Sequence, residues 1–274
     1  MHLIMGIDVG GSTTKIVAYE NSDKRIGTLQ VRANDQITSL YGALGHFLHI
    51  HRLSLEDISK IALTGVGASL IEENVYGIPT YRCDEFQAIG LGGLKLSGLK
   101  EALVISMGTG TAFVHAAGKS ATHLGGSGVG GGTLLGLSQK LVRQRDISVI
   151  AALAEQGDLS KVDLLIRDIS KGKIPTLSPD TTASNFGNLS PSASDADYTA
   201  GLINMVFQTV GMMGVFAVRN SEVRDVVLTG AMTALPQAAG TFRTLGEMSG
   251  VNFIIPENAV FATAIGAAME YIEK

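Results

Sequence analysis

Two similar strand–turn–strand units lie about a hundred residues apart, and this repeat constrains the possible folds more than any other feature of the chain. In the first unit, residues 3–19, apolar stretches flank an Asp-Val-Gly-Gly-Ser-Thr-Thr turn. In the second, residues 103–115, they flank a Met-Gly-Thr-Gly-Thr turn. Each composition is typical of a β-hairpin, with glycine where the backbone torsions need to be permissive. The repeat therefore predicts a duplicated architecture with two domains.

The rest of the chain alternates between helical and extended patterns, which indicates the α/β class. Further strands are predicted at residues 60–64, 79–82, 225–228 and 251–255, and helices at 37–51, 85–97, 133–143, 148–170, 198–219 and 259–270. Residues 171–194 are rich in turn residues and are predicted to form a connector. We expect an N-terminal domain over residues 1–100 and a C-terminal domain over residues 101–274.

Composition narrows the class of protein. The 274 residues are 45% hydrophobic and 17% charged, which favours large packed cores. The net charge of −4, without a basic block, argues against nucleic-acid binding. A single cysteine, Cys83, excludes an intramolecular disulfide and multi-cysteine metal sites. Residues 198–219 are long and apolar but contain Asn204 and Gln208, so we expect a buried or interface helix in a soluble, cytoplasmic protein and no membrane span.

The turn of the first hairpin combines an acid, glycines, hydroxyls and a lysine. Glycines allow backbone N–H groups to face a phosphate, and hydroxyls add further donors. An aspartate after a buried strand can hold Mg²⁺, usually through water. The alternative is an ordinary hairpin turn, and the Walker A pattern is absent from the chain. The candidate phosphate- and metal-binding residues here are Asp8, Gly10, Gly11, Ser12, Thr13 and Lys15.

Three glycine-containing segments extend this candidate site. The second turn would face the first and bind a polyphosphate from the other side, and a Thr-Gly pair after the strand at 225–228 fits an adenine or ribose contact. Residues 126–131 formally match G-x-G-x-x-G, but residues 120–123 form a poor strand for a dinucleotide fold. A phosphate loop before a helix N-terminus explains them better. The candidates are Gly108, Thr109, Gly110, Gly126, Gly128, Gly130, Gly131 and Gly230.

An acidic pair, Asp84 and Glu85, precedes the helix predicted at 85–97. Acids at this position usually cap the helix and compensate its dipole. A carboxylate here can also act as a general base toward a substrate hydroxyl. The residues alone leave both roles open.

These units, in this order, resemble the actin-like ATPase and sugar-kinase superfamily, and nearly the whole chain resembles the type II pantothenate kinases. The resemblance implies a duplicated actin-like (ribonuclease H-like) two-domain kinase fold. It further implies ATP and Mg²⁺, phosphorylation of the pantothenate primary hydroxyl as the first step of coenzyme A synthesis, and a homodimer that uses the helix at 198–219. The matching segments are residues 6–12, 63–65, 85–86, 108–111, 125–132, 183–187, 257–258 and 264–267.

The resemblance also assigns roles to individual residues. Glu85 becomes the catalytic base, Asp8 holds the metal, and Thr109, Thr111 and His123 contact the substrate. The chain departs from the family on the acceptor side, where His123 stands for an arginine and Ala112 for a serine. Arginine offers a bidentate, permanently charged fork to a carboxylate, whereas histidine offers a single donor. A kinase for a neutral acceptor, such as pantetheine or a sugar, and a non-catalytic ATP sensor therefore remain alternatives.

Overall fold

The computed structural model describes residues 2–32, 35–172, 174 and 178–272. Its strands are β1 (Leu3–Val9), β2 (Thr13–Tyr19), β3 (Arg25–Arg32), β4 (Ile58–Thr64), β5 (Thr80–Arg82), β6 (Glu101–Met107), β7 (Thr111–Ala117), β8 (Ser120–Ser127), β9 (Leu164–Leu165), β10 (Thr182–Ser184), β11 (Asp225–Thr229) and β12 (Asn252–Ile254). Its α-helices are α1 (Gln36–His51), α2 (Glu85–Ser97), α3 (Gly131–Leu141), α4 (Ile147–Ala154), α5 (Ile166–Ile169), α6 (Asp195–Val218), α7 (Gln237–Ser249) and α8 (Ala262–Ile272).

Two five-stranded sheets carry the same topology. The first has the order β3-β2-β1-β4-β5 and the second the order β8-β7-β6-β11-β12. In each, three strands form an antiparallel meander, and two more run parallel to its first strand. The duplication predicted from the two hairpins is therefore confirmed. Each hairpin forms because its turn carries glycines between strands that are buried on both faces.

Helices α2 and α8 lie between the two sheets and link them. Ile89 of α2 packs with Val104 and Val114 of the second sheet, whereas Ile265 of α8 packs with Val17 of the first. Thus α2, from the first half of the chain, packs on the second sheet, and α8, from the second half, packs on the first sheet. The boundary predicted at residue 100 stays a prediction, since a helix from each side of it crosses to the other sheet.

The crossing of α2 and α8 is tight because both helices carry glycine at the contact. A Cβ atom on Gly92 would lie 1.9 Å from the carbonyl oxygen of Ala262. A Cβ atom on Gly266 would lie 1.8 Å from the carbonyl oxygen of Ala88. The backbones can approach this closely only where no side chain stands between them. The outer faces of the two sheets are covered by α1 on the first and by α3, α4, α6 and α7 on the second.

Three predictions of secondary structure were wrong or incomplete. The helix predicted at 148–170 is interrupted: α4 ends at Ala154 and α5 covers only Ile166–Ile169. Between them Gly157 lies against α6, where its Cβ would be 2.2 Å from the carbonyl oxygen of Ala196. Residues 120–123, judged a poor strand, belong to β8, which contains the first glycines of the glycine-rich segment. Strand β3 and helix α7 were not predicted. The predicted connector at 171–194 contains β10, which pairs with β9, and residues 173 and 175–177 of it lie outside the described residues.

Helix α6 is the one described helix that is long and apolar enough to cross a membrane by length and composition. Half of its most apolar 18-residue stretch is buried inside the fold, as expected for a core helix. At its first turn the buried carboxylate of Asp197 accepts hydrogen bonds from the backbone N–H of Asp158 (2.7 Å) and of Ser194 (2.8 Å). Nearby, buried Asp163 accepts a hydrogen bond from the amide of Asn204 at 2.9 Å. The helix is thus joined to the polar segment before it.

Candidate active site

Three polar side chains lie on one face of the first sheet where its central strands end. The strand register pairs Asp8 of β1 with Lys15 of β2 and with Thr64 of β4, so all three side chains share the face that α8 covers further along. The Nζ atom of Lys15 lies 3.1 Å from the Oδ2 atom of Asp8, and both side chains are buried. The hydroxyl of Thr64 is buried and has no hydrogen-bond partner among the described residues. The sequence therefore brings an ion pair and an orphan hydroxyl together.

Glycine follows Thr64 because the chain turns sharply beside Asp8. Gly65 has φ 87°, and a Cβ atom there would lie 2.5 Å from the Oδ1 atom of Asp8 and 2.7 Å from the carbonyl oxygen of Val9. A side chain at this position would push the carboxylate away. The turn keeps the Oδ1 side of Asp8 free of bulky groups.

Helix α2 begins beside this cluster, and its first residues divide the two roles left open by the sequence. Asp84 caps the helix, accepting hydrogen bonds from the backbone N–H groups of Phe86 (3.0 Å) and Gln87 (2.9 Å). Glu85 is half-buried, and burial raises its pKa above the ordinary value. The negative charges of Asp8 and Asp84 raise the pKa further, while the positive charge of Lys15 lowers it. A carboxylate with a raised pKa next to an ion pair is typical of a catalytic acid or base.

The turns of the two hairpins face each other. The hydroxyl oxygens of Ser12 and Thr109 lie 3.4 Å apart across the gap between the sheets. The backbone N–H groups of Gly11, Ser12, Thr109 and Gly110 make no hydrogen bond within the described part of the chain. The two turns are therefore close together, and the binding of one polyphosphate between them stays a prediction.

Other predicted phosphate ligands shape the turns instead. The N–H of Gly10 donates to the carbonyl of Thr13 (3.0 Å), and that of Gly108 to the carbonyl of Gly110 (2.9 Å). The N–H of Gly131, at the start of α3, donates to the carbonyl of Gly108 at 2.9 Å. Because these N–H groups already donate within the turns, these glycines stabilise the turn conformation. The N–H groups that remain available to a ligand are those of the neighbouring residues named above.

The glycine-rich segment is docked on the second hairpin. A Cβ atom on Gly130 would lie 2.8 Å from the carbonyl oxygen of Thr109, so the backbones touch. The hydroxyl of Thr111, predicted to contact substrate, is buried and donates to the carbonyl of Val129 at 2.8 Å. Gly126 lies within β8, which leaves Gly128 and Gly130 in the loop itself. The loop does follow a strand, but β8 is an antiparallel edge strand, so no dinucleotide-binding βαβ unit exists here.

His123, which was predicted to contact the acceptor, lies beside the first turn of α2. Its ring stacks on the ring of Phe86, the residue after Glu85, with centroids 3.8 Å apart and planes 9° from parallel. His123 is solvent-exposed, whereas Phe86 is half-buried. Ala112 pairs with Gly126 of β8 and with Ser106 of β6. The structure therefore joins His123 to the helix that carries Glu85, a contact that the sequence did not predict.

The central strands of the second sheet end in the same arrangement as those of the first, but with uncharged residues. By topology, Ser106 corresponds to Asp8 and Thr229 to Thr64, and Gly230 has φ 90° where Gly65 has 87°. A Cβ on Gly230 would lie 2.5 Å from the carbonyl oxygen of Met107. Sequence reasoning missed Thr64 and Ser106. The Leu-Thr-Gly tripeptide that occurs at 63–65 and again at 228–230 is the signal that points to Thr64.

Comparison with known proteins shows the family to which the chain belongs. A family model described as Fumble matches residues 99–249. A type II pantothenate kinase from Staphylococcus aureus (strain USA300) is 32% identical over 98% of this chain and 99% of its own length. This chain belongs to the type II pantothenate kinase family. In the structure Glu85 lies beside the Asp8–Lys15 ion pair, and Phe86 stacks on His123.

Solved structures with a similar fold come from other branches of the superfamily. The activator of 2-hydroxyisocaproyl-CoA dehydratase from Clostridium difficile, with bound ADPNP, has a TM-score of 0.70 at 18% identity and covers 99% of this chain and 94% of its own. A ROK family glucokinase from Streptomyces griseus, in complex with glucose and AMPPNP, has a TM-score of 0.63 at 11% identity, covering 99% and 100%. At these identities the likeness shows the fold alone, and it confirms the predicted duplicated actin-like fold.

Proposed function

We propose that this protein transfers the γ-phosphoryl group of ATP to the primary hydroxyl of pantothenate, the first step of coenzyme A synthesis. The observation that carries the proposal is Glu85, whose pKa is raised beside the buried Asp8–Lys15 pair, next to two turns that face each other. Membership of the type II pantothenate kinase family supports the choice of substrate.

The two turns and the glycine-rich loop would bind the nucleotide. The unoccupied N–H groups of Gly11, Ser12, Thr109 and Gly110 supply donors for the phosphate oxygens. Gly230, after β11, would lie beside the adenosine on the second sheet. Phosphoryl transfer depends mainly on positioning and on stabilising charge on the transferring group, which is what such rigid donors provide.

A magnesium ion fits the donor set at the strand ends. Asp8 offers a carboxylate, and Thr64 a buried hydroxyl without a partner. No group of three or more His, Cys, Asp or Glu side chains suited to a metal occurs in the described residues, in keeping with an ion that retains several of its waters. When bound with the nucleotide, Mg²⁺ would neutralise phosphate charge. Lys15 would hold the Asp8 carboxylate in place.

Glu85 would accept the proton of the acceptor hydroxyl. A pKa raised by burial and by neighbouring carboxylates makes a carboxylate a stronger base, since efficient bases have a pKa closer to the working pH. The position of Glu85 on the first turn of α2 keeps it rigid, because Asp84 caps that turn.

His123 and Phe86 would form one wall of the acceptor site. The stack fixes the orientation of the imidazole, so its ring nitrogens can contact the acceptor only in the plane parallel to Phe86. A single N–H donor holds a carboxylate less firmly than an arginine fork does. The role of Thr111 would be to hold the loop beside this wall.

The proposal includes a cytoplasmic homodimer formed through α6. On this helix Met205 is half-buried, while Met212 and Phe216 expose 37% and 60% of their surface. These residues lie at helical spacing on one side of α6. An apolar stripe on an otherwise buried helix supports burial against a second copy of the chain.

The test is ADP release from Mg·ATP by the purified protein with pantothenate, pantetheine and a small panel of sugars. Glu85→Gln and, as a matched control, Glu247→Gln on the exposed face of α7 are assayed alongside. We expect turnover on pantothenate that falls at least about 100-fold in Glu85→Gln and is unchanged in Glu247→Gln. Turnover on a neutral acceptor alone would identify that alcohol, and not pantothenate, as the substrate. ATP binding without turnover on any acceptor would favour a non-catalytic sensor.

A further inference from the structure

A cavity of about 720 Å³ lies outside the proposed active site, along the outer side of α2. Its volume falls within the range of small-molecule binding sites. It runs from Gln87, near the start of α2, to the residues that follow the end of the helix. Both halves of the molecule contribute to it, because Ser22 lies in the β2–β3 turn, Met269 packs with the first sheet, and the turn at residues 118–119 belongs to the second.

The floor of this cavity is apolar. Leu91 and Leu94 of α2, Leu99 after it and Met269 of α8 line it. Leu94 and Met269 are buried, whereas Leu91 and Leu99 keep part of their surface exposed. A ligand placed here would cover these exposed apolar surfaces, which is favourable at about 25 cal/mol for each Å².

The edge of the cavity is basic. Lys95, Lys100 and Lys119 line it, Asp23 lies beside Lys95, and the lining includes one carboxylate, that of Glu270. That carboxylate accepts a hydrogen bond from the thiol of Cys83 at 2.5 Å. Lys95 forms a salt bridge with Asp23 at 3.1 Å, while Lys100 forms none within the described residues. With Lys95 paired to Asp23, Lys100 leaves a positive charge at this edge, which favours a negatively charged ligand.

The end of the cavity nearest Glu85 is held by a specific contact. The Nε2 atom of Gln87 donates to the backbone carbonyl of Lys119 at 2.7 Å, which ties the β7–β8 turn to the first turn of α2. Glu85 lies on the same turn of the helix. A ligand that touches this contact therefore touches the element that carries the proposed base.

We propose that this cavity binds an amphipathic anion, with a carboxylate among the lysines and an unbranched apolar chain on the leucine–methionine floor. The ligand contacts both halves of the molecule at once. The site is separate from the nucleotide turns, so its occupation does not depend on the proposed activity.

Calorimetric titration of the full chain with decanoate tests the site, with a saturating non-hydrolysable ATP analogue and Mg²⁺ present to fill the nucleotide turns. We expect one site for each chain, with a submillimolar Kd. The neutral isostere decanamide binds at least 10-fold more weakly. Lys100→Glu weakens decanoate binding at least 5-fold, and Arg243→Glu, an equal change of charge on the exposed face of α7, leaves it unchanged.

A second variant tests the floor. Leu91→Glu puts a charge where the chain would lie and abolishes binding, and a wild-type melting curve for this variant shows that the fold is retained. The proposal is overturned if decanoate gives no saturable heat at millimolar concentration, if decanamide binds equally well, or if Lys100→Glu and Leu91→Glu bind like the wild type. Displacement of decanoate by the nucleotide would also overturn it, since the decanoate site would then overlap the nucleotide-binding turns.

Discussion

Glu85 and its neighbours set the chemistry at the scale of single residues. Burial, together with the carboxylates of Asp8 and Asp84, raises its pKa, and Lys15 acts in the opposite direction. The same four residues would be needed to hold metal, base and nucleotide, so a change in one alters the titration of the base. This coupling gives the site a measurable pH dependence.

The pH profile of kcat/KM for pantothenate should show an acid limb above the ordinary glutamate value of 4.5. Activity rises with pH through this limb because Glu85 acts as a base and is active only when deprotonated. Lys15→Met removes the charge that lowers the pKa, so the limb moves to higher pH. An unchanged limb in Lys15→Met, with activity retained, would contradict the assignment of Glu85.

Asp197 gives a prediction about stability in acid. Burial opposes its ionisation, but hydrogen bonds from the backbone of Ser194 and Asp158 outweigh this effect and lower the pKa from 3.8 to about 2. A lowered pKa contributes stability that is present above pH 3.8 and is lost as the pH falls toward 2. Asp197→Asn should therefore cost about 2 kcal/mol of unfolding free energy at pH 7.

Urea unfolding of wild type and Asp197→Asn at pH 7 and at pH 3 measures this effect. The difference between the two proteins shrinks at pH 3, because the carboxylate of the unfolded wild type, with the ordinary pKa of 3.8, is largely protonated there. Asp195→Asn, on the same helical turn but exposed, serves as the control and shows little change at either pH. A difference that is equal at both pH values would contradict the role given to the charge of Asp197.

At the scale of elements, the crossing of α2 and α8 holds the two sheets together and positions Glu85. Its glycines permit a backbone contact that no other residue allows. The first turn of α2 carries the proposed base, and α2 packs on α8. A shift in the helix crossing would therefore move Glu85 relative to the Asp8–Lys15 ion pair.

Gly92→Ala should destabilise the protein by about 2 kcal/mol or more, since its Cβ would lie 1.9 Å from a backbone carbonyl that cannot move freely. Thermal or denaturant unfolding measures the loss. Gly42→Ala in α1 is the matched control: its Cβ would meet nothing within 4 Å, and alanine favours the helix, so this variant gains up to about 1 kcal/mol. Equal effects of the two substitutions would show that the crossing is not tight.

At the scale of the whole molecule, the two sheets divide the proposed work unequally. The first carries the ion pair, Thr64 and the neighbouring base, whereas the second has Ser106 and Thr229 at the equivalent strand ends. The second half of the chain also carries α6, the longest helix described, and with it the proposed dimer surface.

Light scattering of the eluted protein tests that surface. The wild type should elute as a dimer, and the double variant Met212→Asp, Phe216→Asp as a folded monomer, because two buried charges would outweigh the apolar contact. Met248→Asp, equally apolar and exposed on α7, should stay dimeric. A monomeric wild type, or a double variant that remains a dimer, would exclude α6 as the interface.

The sequence by itself determined the duplication, both glycine hairpins, the bounds of α2 and the acidic pair at its start. These features depend on local rules: glycine where torsions require it, apolar stretches in strands, and an aspartate at a helix start. Family motifs added the meaning of the Glu-Phe pair, which the residues alone left open. The two glycine turns were predictable because the residues that form each turn lie within a few positions of one another in the sequence.

Only the tertiary structure decided the rest. Strand β8 contains glycines and has a weak strand pattern, yet it pairs along β7, and such pairing depends on residues distant from its own composition. Likewise, the exchange of α2 and α8 between sheets, the Phe86–His123 stack and the orphan hydroxyl of Thr64 each join segments that are far apart in the chain. No local pattern encodes them, because they arise from which surfaces remain to be buried once the two sheets meet.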